Sequence, residues 1–339
     1  MSIRLACSMS LLLMLGLVGV ACAAHEAHQA FTDPATAGPD FAVQGEYAGE
    51  GKLGDETKKM GVQVVALGNH EFKATGFHGG LPGDGWSRGD KSEEGKGKTN
   101  GDVTEFISEH GKGTIKDGTL TISDENGNKL CDLKKVERQS PTLGTKPPEG
   151  ATVLFDGTSA DAWKKGKIVE GNLLWNGATS KQAFGDFTLH VEFRCPYMPE
   201  ARGQARGNSG VYLQDRYEVQ VLDSFGLEGK DDDCGGIYKI AQEKVNMSFP
   251  PLAWQTYDID FTAARFDADG KKTGNAHTTV KHNGVVVQDD LELPHVTPGG
   301  AFGDEKPAQG DNMAKGPIYL QDHGGDPVVF RNIWVVEKK

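Results

Sequence analysis

Hydrophobic and polar residues alternate with a period of two along most of this chain, and no stretch carries a sustained helical period, which predicts an all-β protein. The sharpest alternation lies in Gly207–Phe225, GNSGVYLQDRYEVQVLDSF. In a strand Asn208, Tyr212 and Gln214 share one face while Val211 and Leu213 share the other. Glu218 and Gln220 then alternate with Val219 and Val221, so two strands flank Asp215–Arg216 as a hairpin. An odd loop over Asp215–Tyr217 sets Glu218 opposite Gln214 and Gln220 opposite Tyr212, whereas a two-residue turn sets Glu218 against Leu213. Burying an unpaired carboxylate against leucine costs several kcal/mol, so the odd loop is expected. One sheet face then carries amide, carboxylate and phenol groups.

Upstream, Gly61–Leu67, Phe72–Gly76, Val103–Ile107, Thr114–Lys116, Thr119–Ile122 and Lys129–Leu133 read as short strands of a small β domain over 43–138, with Asp117–Gly118 a hairpin turn. Asp84–Asp102, almost without apolar residues, reads as a solvated loop between two of them. Residues 24–42 mix His, Ala, Pro and Gly without period and read as a flexible tether. The Pro- and Gly-rich 139–150 reads as a linker. From residue 151 to 339, Thr152–Phe155, Asn172–Trp175, Thr188–Arg194, the hairpin, Gln255–Phe261, His277–His282, Val285–Asp289, Ile318–Gln321 and Val328–Val335 predict an antiparallel sandwich.

Charge narrows the ligand. A net charge of −12 disfavours nucleic acid and anionic membranes, both of which demand basic patches, and suits a neutral, polar ligand. Arg4, the apolar run Leu11–Val20 and the small residues after it have the layout of a secretory signal over 1–23, so export to a periplasmic or extracellular location is expected. Gly19–Cys22 also resembles a lipobox, which leaves lipidation of Cys22 open beside cleavage after Ala23. Cys131, Cys195 and Cys234 do not make a disulfide framework; one bridge, Cys195 with Cys234, competes with buried free thiols.

The segments LFDGTSADAW (Leu154–Trp163), RGNSGVYLQDRYEVQVLDSFG (Arg206–Gly226), CGGIY (Cys234–Tyr238), FPPLAWQTYDIDF (Phe249–Phe261) and GPIYLQDHG with VFRNIWV (within Gly316–Val335) resemble the 3-keto-disaccharide hydrolase domain family. The resemblance implies a concanavalin A-like jelly-roll sandwich preceded by the small β domain, and hydrolysis of glycosides whose sugar carries a ketone at C3. Such a ketone acidifies the C2 proton, so a base can remove it and expel the C1 substituent, after which water adds. Glu218 is the candidate base and His323 the candidate acid. Arg206, Asn208, Tyr212, Gln214, Gln220, Tyr238, Trp254, Gln321 and Arg331 are candidates for binding substrate. Against these stand plainer readings: Arg331 as partner of a sheet carboxylate, His323 as a backbone cap, Trp254 as core.

In Glu218–Asp223 the alternation puts a glutamine where laminarinase-type sandwiches place a central acid, and turns Asp223 away from Glu218, which disfavours double displacement. The sequence points to no definite cofactor, and Asp231–Asp233 are candidate ligands for a divalent metal such as calcium. A non-catalytic, lectin-like carbohydrate-binding module is the alternative function.

Overall fold

The computed structural model describes residues 28–53, 56–300 and 314–338. Nearly all regular structure in them is β; the helical pieces are one five-residue α-helix, Pro39–Val43, and two three-residue 3-10 turns. The signal-like run and Cys22 lie outside the described residues.

Eight antiparallel strands, Gly45–Leu53, Glu56–Gly68, Glu71–His78, Ser92–Asn100, Val103–Ser108, Gly111–Lys116, Thr119–Asp124 and Lys129–Val136, form a closed barrel. Each pairs with its neighbour along the chain, and the first closes on the last through Glu46 opposite Val136. Closure leaves no open sheet edge. Tyr47, Val64, Phe72, Ile115 and Leu133 point inward and bury.

Two expectations change here. Ser92–Asn100 is a strand inside the span expected to be loop, paired on both sides. Its inward positions are Glu93, Gly95, Gly97 and Thr99, so it has no hydrophobic period to read. Gly97 is small because a Cβ there would lie 2.4 Å from the Phe106 ring. Residues 31–43 are not a loose tether: Phe31 and Tyr197 exchange two backbone hydrogen bonds of 2.9 Å, and Asp40 accepts from the His70 backbone.

The remaining strands make two sheets around one apolar core. The longer runs in the order Ile168–Val169, Leu173–Trp175, Val329–Glu337, Phe187–Arg194, Gln255–Thr262, Ala276–His282 and Val285–Leu293, with Thr152–Phe155 also paired to Val329–Glu337. The shorter runs Trp163–Lys164, Ala178–Phe184, Gly316–Leu320, Ser209–Leu213 and Tyr217–Val221. Leu189, Val191, Phe193 and Ile259 of the long sheet belong to one buried cluster with Val211, Val219, Ile318 and Leu320 of the short one. At roughly 1.5–3 kcal/mol per buried aliphatic or aromatic side chain, this cluster fixes which face of each strand looks inward. The opposite face of the short sheet is left for polar residues.

The barrel and the sheets are packed together. Arg88 donates to the carbonyls of Glu228, Glu243 and Lys244, and Arg202 to that of Leu67. The 139–150 segment lies against the outer face of the long sheet, with the Gly144 amide 2.6 Å from Glu192 and Thr142 Oγ1 2.6 Å from Asp258. Cys131, Cys195 and Cys234 are buried free thiols, so the Cys195–Cys234 bridge is not present. Cys234 Sγ instead lies 3.1 Å from the Tyr257 hydroxyl.

Candidate active site

The hairpin holds the site, in a register different from the expected one. Leu213 pairs with Tyr217 and Tyr212 with Glu218, so the loop is the three residues Gln214–Arg216. Its length is odd, as hydrophobic patterning demands, but it is displaced toward the N-terminus, because Gln214 and Asp215 both adopt left-handed backbone (φ 56° and 55°). Gln214 therefore leaves the polar face. Its amide nitrogen donates to the carbonyls of Phe184 and Ala314 instead, which gives it a structural task.

On the outer face of the short sheet the register sets Tyr212 directly beside Glu218, and Gly210 beside Gln220. Gly210 makes room for the acid: a Cβ there would meet Glu218 Oε1 at 2.2 Å. The next strand brings Tyr319 opposite Tyr212, with ring centroids 5.4 Å apart. Along the other edge Gly236 and Tyr238 continue the backbone pairing, the Tyr238 amide donating to the Glu218 carbonyl at 3.1 Å. The half-buried Tyr238 ring lies under the Lys239 ammonium. Thr297 and Pro298 cover the face, Thr297 Oγ1 accepting from the Glu218 amide at 2.9 Å.

The Tyr212 hydroxyl is the centre of this arrangement. It lies 2.8 Å from Glu218 Oε2 and 2.7 Å from the Pro298 carbonyl, and accepts from Gln321 Nε2 at 3.2 Å. A phenol has one proton, so it can serve only one of the two acceptors at a time. When Glu218 is protonated, its own O–H donates to Tyr212 and Tyr212 donates to Pro298, and every group is satisfied. When Glu218 is ionised, Tyr212 turns to it and the Pro298 carbonyl loses this donor. Burial acts in the same direction. Glu218 is 2% exposed, and desolvation raises its carboxyl to about 8 against the opposing hydrogen bond from Tyr212. Among the described residues no neighbouring carboxylate contributes to that shift.

On the segments that lead into and out of these strands several buried polar atoms have no protein partner: Asn208 Oδ1, Gln321 Oε1, Arg206 Nη2 and His323 Nδ1. Buried polar groups are normally paired, so orphans gathered around one sheet are places for ligand or water. Asn208 Nδ2 donates to Gln204, which also receives Gln220 Nε2. Arg206 is bound to Asp223 at 2.6 Å, which holds that acid away from Glu218. His323 lies in the turn after Gln321, and no hydrogen bond or ion pair joins it to Glu218.

Two expected binders stand elsewhere. Arg331 pairs across strands with Glu192 on the outer face of the long sheet, its Nε 2.6 Å from the carboxylate, and its guanidinium lies 3.9 Å from the Trp254 ring centroid. The apolar core separates this cluster from Glu218, so Arg331 and Trp254 do not line its face. Burial raises Glu192, but bonds from His190, Asn332, Gly144 and Arg331 outweigh it and hold the carboxyl at about 2. Nor do Asp231–Asp233 form a metal site: among the described residues no three His, Cys, Asp or Glu side chains converge on one, and Asp233 is instead bonded to Ser224.

Sequence reasoning missed Gly210, Gln204 and the Thr297–Pro298 cover. A glycine in mid-strand was the available signal for the first, since it marks close approach by another group. Thr297 and Pro298 lie about eighty residues away along the chain and give no local sign.

With its polar sheet face and buried acid on a two-sheet β unit, this chain falls by its family match and one solved structure into a glycosyl-hydrolase-like class. Residues 150–336, more than half of the chain, match the family described as the 3-keto-alpha-glucoside-1,2-lyase-like domain. The chain belongs to that family. A crystal structure of a candidate glycosyl hydrolase from Parabacteroides distasonis is 36% identical over 57% of this chain and 86% of its own, with a TM-score of 0.50. A second candidate glycosyl hydrolase from that organism is 16% identical over 56% of this chain and 95% of its own, with a TM-score of 0.40. No curated protein matches the chain.

Proposed function

We propose that the two-sheet unit cleaves 3-keto-glycosides by elimination and hydration. Glu218 takes the C2 proton, the C1–O bond breaks, and the leaving oxygen receives a proton from His323. Water then adds at C1, giving its proton to His323, while Glu218 returns a proton to C2. The C3 ketone makes the first step accessible by spreading the negative charge into an enolate.

The observation that carries this reading is Glu218: one buried carboxyl, held near 8 and hydrogen-bonded to Tyr212, with no second carboxylate acting on it among the described residues. A general base works best with a pKa near the operating pH. Ordinary retaining hydrolysis needs a carboxylate pair about 5–5.5 Å apart, and Asp223 is engaged by Arg206. The family description, a 1,2-lyase-like domain for a 3-keto-alpha-glucoside, agrees with the elimination half of this reading. Gln321 Oε1 and Asn208 Oδ1 are acceptors for sugar hydroxyls, and the orphan Nδ1 leaves His323 available as an acid. The concanavalin A-like jelly-roll description of the two sheets is part of the same proposal, as is export of the mature chain.

The test compares a 3-keto-glucoside with the same glucoside unoxidised, in deuterated water. Elimination predicts cleavage of the ketone form alone, with deuterium at C2 of the released sugar. Glu218→Gln should lower turnover by about 10²–10⁴ while binding persists. Binding of either sugar without cleavage would hand the site to the lectin-like reading.

A further inference from the structure

The barrel is not filled from end to end. Tyr47, Val64, Phe72, Ile115 and Leu133 pack one part of its interior. Elsewhere a cavity of about 290 Å³ remains, walled by Met60, Val62, Ala74, Phe106, Leu120 and Ile122. Inward glycines keep it open, and they are of two kinds. Gly97 is forced by packing, since a Cβ there collides with Phe106. Gly76 is not: a Cβ there would have Glu93 O at 3.8 Å and Val62 Cγ2 at 4.0 Å as its only near neighbours, so packing alone would tolerate a larger residue. Eight-stranded barrels are either filled by their own side chains or hold one small ligand, and this interior is part-way between.

The rim is charged in a way that selects the ligand's end. Glu93 is paired with Lys91 at 2.8 Å and lies 3.5 Å from His78 Nε2, and Glu94 is paired with Lys73. Lys112 lines the same cavity and makes no ion pair among the described residues, and the exposed His110 stands beside it in the lining. With the acids paired, the unspent charge at the mouth is positive.

We propose that the barrel is a binding calyx for a medium-chain monocarboxylate, its alkyl chain among Met60, Val62 and Phe106 and its carboxylate at the rim by Lys112 and His110. The barrel lies outside the residues that match the family, and this function is independent of the sugar chemistry. The volume is at the lower end of ordinary ligand pockets, roughly 300–1,000 Å³, which favours a single short chain.

Calorimetric titration of the full protein with saturated carboxylates from hexanoate to dodecanoate, below their micelle concentrations, tests this. Affinity should rise about fourfold per added methylene until the cavity is full, then level off. Gly76→Ile should weaken the best ligand about tenfold or more and move the plateau to shorter chains, with glycoside cleavage unchanged. Ala74→Leu fills the same wall and replaces that variant if it does not fold. Lys112→Gln should weaken the acids but not the matching alcohols. Absence of saturable binding, an affinity indifferent to chain length, or wild-type binding by the filled variants would each overturn the proposal.

Discussion

At the scale of a residue, Glu218 and Tyr212 set each other's proton. A base must be ionised to act, and with its carboxyl at about 8 only about a tenth of Glu218 is ionised at pH 7. The rising limb of kcat/KM, which the base controls, is therefore expected to climb with pH toward about 8. The Tyr212 hydrogen bond lowers that carboxyl, so Tyr212→Phe should move the rising limb to higher pH and slow cleavage most near neutrality. A pH–rate profile decides this; a limb that stays in place would mean that another group titrates. Of this pair, the sequence revealed both members through alternation. Their direct contact depended on the register, which two left-handed residues in the loop decided.

At the scale of an element, the Gln214–Arg216 loop balances backbone strain against side-chain bonds. A non-glycine residue in the left-handed region costs roughly 1–2 kcal/mol, which Gln214→Gly would relieve. The same change removes the amide that donates to the buried Phe184 carbonyl and to the part-buried Ala314 carbonyl and accepts from Arg216, and a buried polar group that loses its partner costs about 1–3 kcal/mol. The bonds outweigh the strain, so Gln214→Gly should be destabilised by about 2 kcal/mol in denaturant unfolding. A variant more stable than the wild type would show that backbone strain outweighs these bonds. Similar competition explains the strand hidden in Asp84–Asp102. Propensity and hydrophobic period both argue against SEEGKGKTN as a strand, yet its backbone is paired on both sides, and of the inward glycines that erase the pattern Gly97 is the one that admits Phe106.

For the whole molecule, the packing of barrel against sheets leaves a second buried acid. Glu243 is fully buried, neither oxygen has a hydrogen-bond partner, and its nearest cation, Arg88, is 3.9 Å away and occupied with backbone carbonyls. Burial raises its carboxyl to about 8, opposed by the field of its own backbone amide, with the charge of Asp233 adding to the rise and the weaker pull of Arg88 against it. The folded chain therefore holds a proton that the unfolded chain releases above about 4.5. Its contribution to stability is whole below that pH and is lost as pH rises toward 8. Glu243→Gln removes this titration, so the variant should gain on the wild type by up to a few kcal/mol between pH 5 and pH 8.5. Thermal unfolding across that range checks it, and parallel curves for the two proteins would refute it.

Much of this protein was determined by its sequence alone. Alternation specified an all-β chain, the faces of the central hairpin, and Glu218 on a polar surface, because a period of two is a local property that each strand carries by itself. The motifs from Leu154 to Val335 likewise carried the family. Only the tertiary structure decided which faces meet. Arg331 and Trp254 have the chemistry of a sugar site, but their strands lie in the other sheet, across the core from Glu218. Thr297 and Pro298 cover the acid from a distant loop, and eight short strands become a closed barrel with a cavity. These outcomes depend on contacts between residues far apart in the chain, and such contacts leave no period, spacing or composition in any one segment from which they could be read.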